Sequence, residues 1–300
     1  MRDLWRKVRV PASSANLGPG FDALGLALSI YLECSFRGAQ KLTIRSSGRD
    51  AELISTGDDN LIWQTALKVA SDVGRVLKPI ELEIVNDIPI GKGLGSSAAA
   101  LTAGVVIAAE MLELGWSRAK VLDEAARIEG HPDNVAACVL GSIVASALDG
   151  EGVARAVRME IDSHYGVAVV VPDFLLPTVE ARRVLPMSYT RADAVFNVQR
   201  SALLIAALTS GTTSAFPEAL EDRLHQPHRF RLVPGLEEAT KLRAPGLLGC
   251  ALSGAGPSIL VFYERSHEEV CELVREVFLK HGHASEIVWA KIEKTGYVLS

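Results

Sequence analysis

The stretch IPIGKGLGSSAAALTAG, residues 88 to 104, constrains this chain more than any other. The alternating run IELEIVNDIPI delivers a strand into it. An alanine-rich run, apolar on most sides and stopped at Gly115, leaves it as a helix over 97–114. Gly93 and Gly95 allow positive φ and let the backbone approach a ligand with no Cβ in the way. Ser96 and Ser97 stand at the helix start, where N–H groups lack intrahelical partners and the dipole end is positive. Lys92 would add a charge there, and a serine hydroxyl lies where it would meet a magnesium ion. On local chemistry the loop either cradles phosphate or is a structural helix entry in a crowded core.

Two familiar nucleotide fingerprints fail. A P-loop requires Gly-Lys-Ser/Thr at its end, whereas Lys92 precedes the last two glycines and Ser96 follows Gly95 directly. GPGFDA, residues 18 to 23, formally fits a dinucleotide turn, but Pro19 sits inside it and LGLALSIYLE continues as strand where a helix should open. A third glycine loop, LSGAGPSI at 252 to 259, joins two predicted strands and by itself is ordinary turn chemistry.

Three hundred residues suffice for two lobes, and 48% apolar with 22% charged residues is the composition of a folded globular chain. A net charge of −5 with scattered Lys and Arg excludes a basic stripe for a nucleic-acid backbone. The start MRDLWRKVRVPASS has positive charge without an apolar stretch behind it, and the longest nearly apolar run, Ala98 to Ala109, is too short for a bilayer. Cys34, Cys138, Cys250 and Cys271 are widely spaced, with no CxxC and no His/Cys cluster. The expectation is a cytoplasmic protein with reduced thiols, no membrane segment and no nucleic-acid partner.

Along the chain, RKVRVPAS, LGLALSIYLECSFRG and KLTIRSS read as strands, with a helix over 60–73 entered through TGDDN. SRAKVLDEAARIEG reads as a helix capped by Ser117 and stopped near Gly130, with Pro132 beyond. GSIVASAL and GVAVVVP read as strands with a lobe boundary between them, near 150 to 166. A helix over 192–209, the strands GLLGCALS and SILVFY, a helix over 267–280 and the strand EIVWAKIE complete an α+β sandwich in both lobes. No internal repeat or low-complexity tail is visible.

Taken in order, VPASSANLGPGFDALGLAL, PIGKGLGSSAAAL and LSGAGPSILVF resemble the three motifs of the galactokinase, homoserine kinase, mevalonate kinase and phosphomevalonate kinase (GHMP) superfamily. SSANLGPGFDALG and EGHPDNVAA most resemble its homoserine kinase branch. The resemblance spans nearly the whole chain. It implies a two-lobed GHMP-kinase fold: an ATP-binding lobe over 1–160 like the second domain of ribosomal protein S5, and a ferredoxin-like lobe over 161–300, with the active site between them. It also implies transfer of the ATP γ-phosphoryl to the side-chain hydroxyl of L-homoserine, a step of threonine biosynthesis, with Mg2+, and a homodimer.

The site residues follow from the same resemblance. ATP phosphates would lie on Pro89, Ile90, Gly91, Lys92, Gly93, Leu94, Gly95, Ser96, Ser97, Ala98 and Ala99. Asn16 and Asp22 suit the substrate ammonium, with an Asx turn as the alternative use of either. Asn134 is placed at the substrate with Asp133 beside it, and Arg182 and Arg229 match the two arginines expected at the carboxylate, which a forked guanidinium suits. Ser97 is the expected metal hydroxyl; Asp123, Glu124 and Glu129 compete for the metal carboxylate, and proximity to HPDN favours Glu129. Where some relatives place an aspartate at the accepting hydroxyl, this chain has Asn134, so catalysis is expected to rest on alignment and charge. His225 and His228 read as scaffold around Arg229, and His281 and His283 as a helix end. Two departures stand out: His228 replaces a usual Tyr, and Ser142 replaces a usual second glycine, read as a neutral packing change.

Overall fold

The computed structural model describes residues 4–161 and 165–300. The first lobe begins with two long antiparallel strands, β1 (Arg6–Asn16) and β2 (Gly20–Gly38), then β3 (Thr43–Gly48), α1 (Leu61–Asp72) and β4 (Ile80–Asn86). Three helices follow, α2 (Ser96–Met111), α3 (Arg118–Glu129) and α4 (Asp133–Leu140), and then β5 (Ile143–Leu148) and β6 (Ala154–Met159). The second lobe contains β7 (Tyr165–Pro172), α5 (Thr178–Arg183), α6 (Arg191–Ser210), α7 (Gln226–Arg229), α8 (Leu236–Thr240), β8 (Leu247–Leu252), β9 (Ile259–Glu264), α9 (Val270–Lys280) and β10 (Ser285–Ala290). The short β11 (Val298–Leu299) ends the chain.

β2 organises the first sheet because its length serves three partners. It pairs with β1 along one edge, while on the other Leu32 to Gly38 meet β4 and Leu24 to Leu26 meet β5. The residues after GPG run straight into this strand, so no helix opens there. α2 packs on β1 and against α1, α3 and α4; Ala98, Ala99, Leu101 and Ala103 to Ala109 are buried, which suits a helix enclosed on most sides. The expected caps form: Asn60 Oδ1 accepts from the N–H groups of Ile62 and Trp63, and Ser117 Oγ from Lys120. The second sheet is antiparallel, in the order β10-β7-β9-β8, with α8 and α9 against it around Val274, Phe278 and Val261.

Several elements go beyond the expected set. Pro132 ends α3 as anticipated, but it also starts α4, where its carbonyl accepts from Ala136 N at 2.7 Å. A proline costs nothing at a helix start, because its missing N–H would have no partner there. ARAVRM forms β6, paired with β5 in the first sheet, so the anticipated boundary region still belongs in part to the first lobe. The expected junction at 160/161 borders residues 162–164, which lie outside the described residues. After β10 the chain returns to the first sheet, where Val298 and Leu299 pair with β1. All four cysteines are buried and free. Among the described residues, no helix is long and apolar enough to cross a membrane.

Ser142 is more than a packing change. Its φ of 58° lies in the left-handed region, the conformation that explains a glycine preference there. Its hydroxyl donates to Met159 O at 2.6 Å, which ties the start of β5 to the end of β6.

Candidate active site

The three glycine loops converge at the mouth of α2. At the end of β1, Asn16 and Leu17 have positive φ, as does Asp22 on β2, and Asn and Asp are the non-glycine residues that tolerate this best. Asn16 Oδ1 accepts from Asp22 N at 3.0 Å, and its Nδ2 donates to Gly254 O in the third loop at 2.9 Å. Asn16 therefore holds two loops together, through the N–H six residues on and not the N–H two residues on that defines an Asx turn. It also lines the cleft beside Asp22.

The middle loop carries its positive φ at Gly93 and Gly95 for a reason the sequence did not reveal. A Cβ on Gly93 would lie 2.2 Å from Ser253 O and 2.8 Å from Gly256 O. A Cβ on Gly95 would lie 2.1 Å from Ser13 Oγ and 3.1 Å from Asn134 Oδ1. The missing side chains make room for the third loop, for β1 and for the start of α4, not only for a ligand. Ser253 Oγ completes the junction, donating to Gly93 O at 2.7 Å and lying 2.8 Å from Ser14 Oγ. Gly91, Gly93, Leu94, Gly95, Ser96 and Ser97 line a cavity of about 170 Å³ with the first turn of α2 at its wall. Helix N–H groups without intrahelical partners and the positive dipole end thus face this space, an environment that fits an anion.

Lys92 is turned elsewhere. Its Nζ donates to Pro172 O and Phe174 O, each at 2.8 Å, so it clamps the loop to the end of β7 and is absent from the cavity wall. The added charge expected beside the phosphates is thus not placed there. Ile90 N donates to Asp50 Oδ2 at 2.9 Å, and Ala98 and Ala99 are fully buried in the helix.

At the far side of the cavity, Arg182 grips Asp22 with both nitrogens, Nη2 to Oδ1 at 2.7 Å and Nη1 to Oδ2 at 3.1 Å. The bonds to Asp22 hold the guanidinium pKa above its usual range. Arg229 is only 1% exposed. Its Nε donates to Ala181 O, and its Nη1 reaches Gly254 O and His225 Nδ1. Burial, with the Arg182 charge, pushes its pKa down to about 10. Arg229 therefore braces the third loop and α5, and it stands behind the cavity wall that Arg182 helps to form. His225 is fully buried, and burial lowers its pKa. Its Nε2 must donate to Gly18 O at 2.7 Å, which leaves Nδ1 to accept from Arg229. His225 is scaffold around Arg229, as expected; His228 sits edge-on to Tyr189. His281 caps α9, and His283 packs on Phe174.

The start of α4 lies beside the Asp22–Arg182 pair, with a carboxylate oxygen of Asp22, one of Asp133 and a ring nitrogen of His131 within 4.8 Å of one another. Asn134 Oδ1 accepts from Ser13 Oγ at 2.9 Å. Asp133 is 2% exposed, and its Oδ1 accepts from Asn134 N at 2.7 Å and from His131 Nδ1 at 2.9 Å. This carboxylate is engaged in shaping the HPDN turn. The bond to Asp133 also raises the pKa of His131, a cavity residue given no role from sequence although it lies inside the motif. Ser13, Leu176 and Thr178 were likewise missed, because only the folded chain brings them to the site.

Of the three acidic residues competing for a metal, Glu129 is the one in the cavity, with Oε2 accepting from Ser97 Oγ at 3.2 Å. Glu124 is bound by Lys120 and Arg127, and Asp123 by Lys120 and Ala154 N. Burial raises the Glu129 pKa, against the opposing pulls of His131 and the Ser97 hydroxyl. Among the described residues neither this hydroxyl nor this carboxylate is hydrogen-bonded to a cation, and beside a helix N-terminus the two form a donor set that suits Mg2+ shared with phosphate oxygens.

Comparison with known proteins identifies the family. The models of the GHMP kinases N terminal domain and the GHMP kinases C terminal match residues 60–142 and 204–280. The homoserine kinase of Solibacter usitatus is 65% identical over 99% of this chain and 97% of its own length. That of Deinococcus radiodurans is 41% identical over 97% of this chain and 96% of its own length. The crystal structure of homoserine kinase from Cytophaga hutchinsonii superposes with a TM-score of 0.84 at 26% identity, covering 99% of this chain and 97% of that one. The L. major mevalonate kinase shares the fold, at TM-score 0.71 and 15% identity over 97% of this chain and 96% of that one. With three loops closing on one helix mouth and such relatives along its whole length, the chain belongs to the homoserine kinase family of the GHMP kinases.

Proposed function

We propose that this enzyme transfers the γ-phosphoryl group of ATP to the side-chain hydroxyl of L-homoserine, giving O-phospho-L-homoserine and ADP for threonine synthesis. The observation that carries the reading is the one cavity that the α2 N-terminus, Asp22, Arg182 and Asn134 line together. An anion site and a site with both charge signs thus lie within one small space. A sugar or an isoprenoid acid needs no such pair; an amino acid needs both.

In this reading the first turn of α2 receives the phosphates, and Arg182 and Asp22 receive the substrate carboxylate and ammonium. Arg229 acts at a distance, by holding Gly254 and the α5 backbone that carries Arg182. An amide is no base, so Asn134 can orient the accepting hydroxyl but cannot take its proton. A loose phosphoryl-transfer transition state depends mainly on alignment and charge neutralisation, and the proton leaves late. Ser97 and Glu129 are the residues that would hold Mg2+, which when bound neutralises phosphate charge.

We also propose the lobe division near residue 160, with the last strand returned to the first sheet, and the homodimer that the family resemblance implies. The four buried free thiols suit a reducing compartment, which supports the cytoplasm. Incubation with ATP, Mg2+ and L-homoserine followed by mass spectrometry tests the reaction. A phosphate monoester on the homoserine oxygen is expected, and ADP without that product would contradict it.

A further inference from the structure

We propose that Asp22 and Arg182 form an exchange lock, which homoserine opens by replacing both halves of the ion pair and which singly charged analogues cannot open. The proposal rests on homoserine as the substrate. In the structure the two groups assigned to opposite ends of the zwitterion hold each other, through two hydrogen bonds of 2.7 and 3.1 Å. Their side chains are 34% and 36% exposed, so a ligand in the cavity can reach both.

Opening this pair exposes one carboxylate and one guanidinium inside a cleft walled by His131 and Asn134, with the centre of the Phe21 ring 5.6 Å from the guanidinium carbon. Among the described residues no other carboxylate is hydrogen-bonded to the Arg182 guanidinium, although Asp133 lies close by, with a carboxylate oxygen within 4.8 Å of one on Asp22. Asp133 and Glu129 act on Arg182 only through space, and their own hydrogen bonds go to His131 and Asn134 and to Ser97. A zwitterion supplies a carboxylate to Arg182 and an ammonium to Asp22, and so restores both interactions in one event. γ-Hydroxybutanoate, which is homoserine without its ammonium, would leave Asp22 unpaired. Aminopropanol, which is homoserine without its carboxylate, would leave Arg182 unpaired. In this half-exposed cleft water compensates a charge left without its partner only in part, so each half-ligand is disfavoured beyond the loss of its own contact.

The lock makes an inverse prediction: breaking one half should help the wrong ligand. Asp22→Asn keeps a residue that tolerates the positive φ of this position and keeps the backbone N–H bond to Asn16, while releasing Arg182. Calorimetry with the full-length protein should show γ-hydroxybutanoate binding at least about tenfold tighter to Asp22→Asn than to wild type. Arg182→Gln should bind aminopropanol tighter by a similar factor, and provides a second arm should Asp22→Asn melt without cooperativity. Glu129→Gln removes a carboxylate that reaches Arg182 only through space, and should change γ-hydroxybutanoate binding by less than about twofold. Equal gains in Asp22→Asn and Glu129→Gln would mean a general field effect and would overturn the lock, as would no gain in either Asp22→Asn or Arg182→Gln. Wild-type turnover of homoserine is read separately, so failure of the lock and failure of the substrate assignment are distinguishable.

Discussion

Ser13 Oγ donates to Asn134 Oδ1 at 2.9 Å, and this bond from β1 to α4 fixes which way the Asn134 amide faces. With the oxygen held, Nδ2 is the end left for a ligand oxygen. Gly95 lies so close that a Cβ there would stand 3.1 Å from the same Oδ1. Asn134 and the first turn of α2, the groups proposed to orient the hydroxyl and to receive phosphate, are therefore positioned against each other.

Asn134→Ala should lower kcat by at least about tenfold at saturating homoserine, because alignment is lost while charge pairing with the substrate remains. Asp133→Asn should retain kcat within about threefold, since Asp133 shapes the turn and no step needs it as a base. Steady-state kinetics on both variants checks this. An Asn134→Ala enzyme within threefold of wild type, or an Asp133→Asn enzyme dead at normal homoserine affinity, would remove the alignment account.

Glu129 is held at a raised pKa by burial. Its folded pKa lies above its unfolded one, so its charged form opposes folding above the folded pKa, and that cost is relieved as pH falls through it. Glu129→Gln should accordingly raise Tm at neutral pH without ligand, yet lower kcat/KM by about tenfold or more with Mg-ATP. Thermal melts and rates on one preparation give both signs. Apparent Mg2+ affinity should weaken with acid, starting above the ordinary carboxylate range, because the protonated carboxyl is a poor ligand.

Gly93→Ala should destabilise the protein by about 2–4 kcal/mol in urea titration, since the new methyl meets two backbone carbonyls at a left-handed φ. Gly91→Ala, which meets only Leu175 Cδ2 at 3.2 Å, should cost only about 1–2 kcal/mol from its positive φ.

Lys92→Met should cost about 1–2 kcal/mol through its lost bonds to the Pro172 and Phe174 carbonyls. Its KM for ATP should rise by less than about tenfold, because its ammonium does not line the phosphate cavity. A hundredfold rise in that KM with unchanged stability would show that Lys92 binds phosphate directly.

What could be read from the sequence was local. Asn60 and Ser117 announced their helices because a cap is decided within three residues, and β2 could be told from a helix by its strand pattern after GPG. β6 was hidden because ARAVRM is short and its partner β5 supplies the order. The motifs brought Asn16, Asp22, Asn134 and Arg182 to one cavity, but not their mutual bonds. That Arg229 is buried, that Lys92 turns away and that Gly93 faces Ser253 are consequences of contacts more than twenty residues apart. No spacing rule reports them, since an arginine or lysine is usually solvated and a glycine carries no sign of what lies opposite.

The most direct test of the account is ADP release measured side by side with homoserine, threonine, mevalonate and galactose as acceptors. The paired charges at Asp22 and Arg182, with Asn134 at the hydroxyl, predict efficient turnover with homoserine and a kcat/KM at least about a hundredfold lower for each of the others. Turnover confined to mevalonate or galactose would contradict it.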